Sequence, residues 1–480
     1  MPDHPDWPPS VRAAMASPAL ERKGWQKSLG PSLIGLFLWI GFFDQIPRET
    51  VGRSGLAWPV LGSAVGGILG YLLLFRVPTL WTYRTGRPLA VVFTSTFGIR
   101  GATMVPGWLI IAIQVVWIAI ATHYASTLTL RGLELLGLLD PSYHHNIVVG
   151  RVQFPSGLFM VTAFFFGLAA TMAGRYLVRV ITALMAVYPI IIAVLLGITA
   201  ALAIKGLPDY RVLLAGVRGG SAAGIIVALI AAQMVFAFAA AGALSAAELG
   251  VVAQSERDVK LGGWVGLAGG SIVVATLSIM TVAGVFIRYG IAVPVNRETS
   301  LSLTFVHGVE TVIGGRTAGA MLLAFGLAGL APACFSSYIF TAQAYEAFPS
   351  VARTKWTILG FLTAWLLVIF GQVDHLYPVL GFVGALLAPV LGAMAADAYK
   401  AGGKWPGARV GVNPPGYFAW LAGAIVGVAP FAAPDTAFAR LQPASLIAFC
   451  AAFVTYLIAA AFVRETAIDP SIMPVTHESE

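Results

Sequence analysis

Apolar residues come in long runs along this chain, from Ser32 to Phe462, separated by short polar stretches. The runs fall at about 30–52, 55–75, 104–130, 154–174, 178–204, 220–247, 262–287, 317–345, 355–371, 376–398, 416–433 and 443–463. Each is long enough to be read as a membrane-crossing helix, so the pattern predicts an all-α integral membrane protein of twelve spans. The first run is irregular. From Pro31 to Phe43, PSLIGLFLWIGFF, it offers thirteen residues, or about 20 Å of helix against a hydrocarbon core of about 30 Å. Continuing to Gly52 gives 22 residues, enough to cross, but puts the polar group of FFDQIPRETVG in the outer half. Pro47 lacks an N–H and would free carbonyls around Phe43. Such backbone is tolerated at membrane depth only where it lines a cavity. The plain alternative is a polar outer loop over 44–56, with the helix starting near Lys27.

The sixth run, AAGIIVALIAAQMVFAFAAAGALSAAELG, is rich in Ala and Gly, with Gln233 in its middle and Glu248 at its inner end. Small residues allow close helix packing and also weak points in a backbone. Runs one and six are five segments apart, and paired irregular helices in corresponding halves point to an inverted-repeat carrier with a midplane site.

Composition agrees with the pattern: 58% of residues are hydrophobic and 10% charged, against about 25% charged in a soluble domain. The net charge of +8 suggests a nucleic-acid partner only until the basic residues are located, because they are scattered singly through loops. With a cytoplasmic N-terminus, 18 of the 29 Lys and Arg fall on inner segments and 11 on outer ones, which predicts a multi-pass protein of the cell membrane with both termini on the cytoplasmic side. Cys334 and Cys450 lie within apolar runs, so no disulfide framework is expected. No cleavable signal peptide precedes the first run, and no long polar insertion could form an appended catalytic domain.

Four stretches carry a family resemblance. RTGRPLAVVFTSTFGIRGA (84–102) resembles the loop after the second helix of the nucleobase:cation symporter-1 family, the purine–cytosine permeases and their hydantoin- and allantoin-carrying relatives. AAELGVVAQSERDVKLGGWVG (246–266) is similar to that family's acidic and basic stretch followed by S-x-x-D and paired glycines. LAGLAPACFSSYIFTAQAY (327–345) resembles its eighth helix, and GFVGALLAPVLGAMAADAY (381–399) its tenth. The resemblance implies a LeuT-type fold: an N-terminal tail (1–29), two inverted five-helix repeats (30–204 and 220–399), two peripheral helices (416–463) and a C-terminal tail (464–480). It implies cation-coupled transport of a small flat heterocycle, with no cofactor, by alternating access around breaks in helices one and six. A LeuT-fold carrier of an amino acid or another metabolite stays open as an alternative.

The resemblance places Gln45 where relatives put a polar substrate contact on helix one, and Trp117 where they put a stacking ring on helix three. A flat buried ring suits an aromatic ligand. Ala121 stands where some relatives have Gln, and Gln114 can substitute. On helix six the stacking Trp is absent, and Phe236 or Phe238 is the nearest ring. Val251 and Leu249 replace that family's basic and aromatic residues, and Ala333 with Cys334 replaces an Asn on helix eight. These departures remove polar contacts and suggest a divergent branch.

The resemblance also implies a Na⁺ site built from carbonyls at the first helix's break and hydroxyls of helix eight. Ser336 and Ser337 are the hydroxyls available there, and they follow Pro332 rather than preceding it, which leaves Na⁺ and H⁺ both open. Intramembrane acids mark ion routes, making Asp44, Glu49 and Glu248 candidates; Asp44 and Arg48 can also neutralise each other at i,i+4. His123 stands alone on its helix. His144 and His145 lack metal-ligand spacing, and Asp374 and His375 sit at an outer helix end. No cluster suits a membrane enzyme, and no filter-like motif suits a channel.

Overall fold

The computed structural model describes residues 11, 22–149, 152–176, 178–215, 221–291, 293, 295–348, 350–371, 376–433 and 435–470. Asp374, His375 and most of the N-terminal tail lie outside the described residues, as does the C-terminal segment 471–480. Among the described residues ten helices are long and apolar enough to cross a bilayer, and a bent pair makes an eleventh span. A further helix, Arg353–Ile369, has 17 residues, the short end of what spans a membrane. The twelve predicted runs thus all reappear as helices among the described residues. In order they are the bent helix one, Leu29–Phe37 with Ile40–Thr50, then Ala57–Thr85, Thr103–Leu135, Gly157–Tyr176, Val178–Ala203, Ser221–Gly250, Glu256–Tyr289, Gly315–Tyr345, Arg353–Ile369, Leu376–Lys400, Pro414–Ala432 and Ala444–Phe462. Inner and outer below denote the sides that the Lys and Arg bias assigns. Apolar side chains such as Ile190, Val194, Leu421 and Ile425 are exposed on the outside of the bundle, the surface that lipid covers.

Helix one is broken, but not at the proline. Leu38 (φ −82°, ψ 9°) and Trp39 (φ −68°, ψ 130°) leave the helix between the two halves, which meet at a bend of 47°. Counted from Leu29 to Thr50, this puts the break near mid-membrane. Pro47 stays helical, three residues before Thr50. It forfeits the bond to the Phe43 carbonyl, but its fixed φ lies in the helical range and the helix continues through it to Thr50. The stretch FFDQIPRETVG is therefore the outer half of a broken helix, and the loop alternative is set aside.

Helix six differs from the expectation of a second break: it runs without interruption for 30 residues. Alanine is the strongest helix former, and here the small residues serve contact instead. A methyl added at Gly62 of helix two would run into the Ala228 carbonyl, and one at Gly66 would lie 2.8 Å from the Ala232 oxygen, so helices two and six approach nearly backbone to backbone. Gln233, the polar oddity of this helix, donates to the Ser445 hydroxyl at 2.9 Å and accepts from the Ser445 N–H at 3.0 Å. It closes the exposed backbone at the start of helix twelve.

On the inner side, two of the motif stretches meet. Asp397 of AADAY receives both guanidinium nitrogens of Arg409 at 3.0 Å, the Thr96 hydroxyl at 3.0 Å and the Tyr456 hydroxyl at 3.1 Å. Arg409 also donates to the Ser95 carbonyl and pairs with Glu465 at 3.2 Å. Gly98, at φ +83°, lets the chain of FGIRGA turn against 409–413, where Ile99 N–H donates to Arg409 O and Asn413 N–H to Phe97 O, each at 2.8 Å. One buried ionic knot thus ties the connection between helices two and three to helices ten and twelve.

Candidate functional site

The break in helix one opens onto a cavity of about 50 Å³ that extends inward from mid-membrane. Trp39, the extended residue at the break, forms one wall. Trp117 of helix three forms another, with the two rings 5.1 Å apart and nearly perpendicular at 81°. Polar groups are few: Ser32 on the inner half of helix one, Gln114 one turn below Trp117, Ser245 on helix six and Ser336 on helix eight. Gln114 and Trp117 share a helix face by their i,i+3 spacing. Phe238 backs Trp117 at 4.9 Å and itself rests on Phe42 and Phe37. The Trp117 wall is therefore held by a chain of aromatic edges rather than left free to rotate.

Outward of this cavity lies an aromatic cluster. Phe43, Phe305 and Phe325 meet with ring centroids 5.0–6.0 Å apart. Over them lies the outer helix Phe305–Ile313, capped by the Thr304 side chain. Asp44 accepts the Val306 N–H at 2.9 Å, an anion at the positive end of that helix. Arg131 of helix three grips Glu310 on the same outer helix through two bonds of 2.8 and 2.9 Å. The Asp44 carboxylate is thus directed to a backbone N–H, while Arg48 keeps a buried Nε without a hydrogen-bond partner. Glu49 pairs with Arg53 at 3.3 Å.

Of the residues singled out in the sequence, the structure brings Trp117, Gln114 and Ser336 to one cavity, with Phe238 in the layer behind. Gln45 is turned elsewhere, its amide donating to the Tyr124 hydroxyl at 2.8 Å. Phe236 is fully buried away from that lining. The Cys334 carbonyl and the Ser337 side chain face helix four, where a methyl added at Gly174 would sit 2.6 Å from the Cys334 carbonyl oxygen and 3.2 Å from Ser337 Cβ. Glu248 lines a second, smaller cavity beside Gln114, Ser245 and Gln343, just inward of the first. His123 borders a wide outer cavity of about 650 Å³. Among the described residues there is no group of three or more side chains suited to a metal ion.

Because the Gln45 amide donates to the Tyr124 hydroxyl where both side chains are buried, Gln45→Ala removes a buried hydrogen bond. It should lower stability by roughly 1–2 kcal/mol in a thermal unfolding series, while ligand affinity stays within about twofold of the parent.

The sequence reading missed Trp39, Ser32 and Ser245. Trp39 sits in an unbroken apolar run and gains its position only from its extended ψ. The one available signal was the pair of flanking glycines, Gly35 and Gly41, which mark a weak point without any proline.

No protein-family model matches the chain, and no curated protein sequence does. Solved structures do. The structure of Mhp1, a nucleobase-cation-symport-1 family transporter, in a closed conformation with bromovinylhydantoin bound is 15% identical, covering 94% of this chain and 96% of that one at a TM-score of 0.58. The inward-facing conformation of Mhp1 gives 0.61, also at 15% identity, over 95% and 96% of the two chains. The substrate-bound, outward-open state of a Na⁺-coupled sialic acid symporter gives 0.58 at 11% identity, over 96% and 95%. Likeness over nearly the full length at such low identity shows the fold. This chain has the LeuT-type architecture of two inverted five-helix repeats followed by two further helices.

Proposed function

We propose that this chain is a secondary active transporter, a divergent relative of the nucleobase:cation symporters, which carries a small planar heterocycle such as a nucleobase, pyrimidine or hydantoin-like ring. The observation that carries the reading is the cavity at the helix-one break, walled by Trp39 and Trp117 and lined by Gln114 and three serines. Two indole walls suit a flat ring, and an amide with hydroxyls can read the donor and acceptor edge of an uncharged heterocycle. Among the described residues no charged side chain lines this cavity, so a zwitterion would find no side-chain partner for its charges there. The four motif stretches and the shared fold with Mhp1, whose closed structure has bromovinylhydantoin bound, support the same substrate class.

In this reading 30–204 and 220–399 move against each other about the bent first helix, and both termini face the cytoplasm. The chain acts as a carrier, not an enzyme, and needs no cofactor and no obligate protein partner. Coupling is to a cation, and a proton is the form that the geometry favours, with Glu248 beside the inner cavity as its carrier. A carrier of another small metabolite is the second reading, favoured by the TM-score of the sialic acid symporter, which equals that of the hydantoin-bound structure.

A panel of nucleobases, hydantoins, amino acids and sialic acid, tested by thermal shift on purified protein, separates the two. A heterocycle at a hundred times its dissociation constant should stabilise the fold by about 2.7 kcal/mol, with amino acids and sialic acid inert. Stabilisation confined to the non-heterocyclic compounds would replace the first reading by the second.

A further inference from the structure

Breaking a helix at mid-membrane leaves carbonyl oxygens that need partners, and a dry bundle supplies them from side chains or from an ion. In an unbroken helix the Gly35 carbonyl would accept from the Trp39 N–H. Trp39 is extended here, and the Gly35 oxygen instead receives the hydroxyl of Tyr188, on helix five, at 2.8 Å. Tyr188 is 5% exposed, so this bond is shielded from competing water.

The surroundings suit a hydroxyl and do not suit a hard cation. The cavity on this side of the break is about 20 Å³, room for about one water. Helix one presents Leu38, Ile40 and Phe43 to it, and helix eight presents Ala328, Gly329 and Pro332. Among the described residues Tyr188 is the one lining side chain that carries an oxygen. Hard cations take several oxygen ligands, and the serines of helix eight are directed elsewhere, Ser336 to the tryptophan-walled cavity and Ser337 toward helix four.

We propose that the Tyr188 hydroxyl takes the place of a coupling cation at the helix-one break, latching the hinge from helix five, so that the hinge is set without Na⁺. The proposal rests on reading the broken helix as the moving hinge of a carrier. It assigns Tyr188 as a positioning residue: it holds the inner half of helix one in place and does not touch the substrate.

Amide hydrogen exchange on the full-length protein in lipid nanodiscs tests this directly, reading the peptide that covers 33–43 in 150 mM NaCl, KCl or choline chloride. The wild type should exchange at the same rate in all three salts. Tyr188→Phe, which keeps the ring and removes the hydroxyl, should exchange about tenfold faster in that peptide, with other helices unchanged and with no recovery in NaCl. Slowing of the wild-type hinge by Na⁺ but not by K⁺ would overturn the proposal, as would a Tyr188→Phe hinge that exchanges like the parent. The wild-type comparison needs no variant, so it decides the question even where Tyr188→Phe folds poorly. Hinge exchange is read without any substrate, and a failure of the heterocycle reading would show in binding and uptake and leave these rates unchanged.

Discussion

Trp117→Ala should lower the affinity for the carried heterocycle by about thirtyfold or more, the largest loss expected from any single change in the cavity. Trp117 is at once a wall of the cavity and the middle of an aromatic chain from Trp39 to Phe238. A buried aromatic anchor at the centre of a binding site typically contributes roughly 2 kcal/mol or more, which is the stated factor. The same substitution removes a large core side chain, and Trp-to-Ala changes of that kind cost about 3–5 kcal/mol of stability. Affinity must therefore be measured on folded protein, by titration well below the unfolding midpoint. Trp117→Phe separates the two effects: it keeps a flat ring and most of the packing, and should lose less than about tenfold in affinity. Equal affinity in all three proteins would remove helix three from the site.

Arg409→Met should be the most destabilising substitution outside the cavity. It strips Asp397 of both guanidinium bonds and leaves a carboxylate at 1% side-chain exposure with only the Thr96 and Tyr456 hydroxyls. Removing one partner of a buried ion pair costs about 3–5 kcal/mol, much of it from the uncompensated charge left behind. The double variant Arg409→Met with Asp397→Leu should recover most of that loss. Thermal unfolding of the two single variants and the double in the same detergent gives the coupling directly. A single variant as stable as the parent would show that the knot does not hold the connection after helix two against helices ten and twelve.

Much of the architecture was legible because the bilayer imposes a length on every span. Thirteen apolar residues cannot cross it, and that arithmetic alone exposed helix one as irregular. Where the irregularity falls was not legible. Pro47 is the loudest local signal, yet the helix runs through it, and the break lies at Leu38–Trp39, where Tyr188 supplies a substitute partner from 153 residues away in sequence. Only the folded bundle reveals that partner. Helix six shows the same contest between local and tertiary terms. Its Ala and Gly content reads equally as weakness or as close packing, and the contact with Gly62 and Gly66 decides for packing.

The polar residues divide along similar lines. Gln114 and Trp117 share a helix face and could be paired from their spacing, whereas Ser32 and Ser245 look like ordinary small residues until helices one and six meet. Charge within a span suggests an ion route. Asp44 meets that description, and the structure turns its carboxylate to the backbone of the outer helix Phe305–Ile313. Glu248 shares a cavity wall with Gln114, a proximity that 133 intervening positions conceal.

The central claim, carriage of a planar heterocycle through the tryptophan-walled cavity, is tested most directly by uptake of radiolabelled uracil, hypoxanthine and hydantoin into proteoliposomes of the purified protein under an inwardly directed proton gradient. At least one of the three should accumulate above protein-free vesicles, collapse when a protonophore removes the gradient, and be lost in Trp117→Ala protein that remains folded. Accumulation of an amino acid or sialic acid with none of the heterocycles, or heterocycle uptake that Trp117→Ala leaves unchanged, would contradict the account.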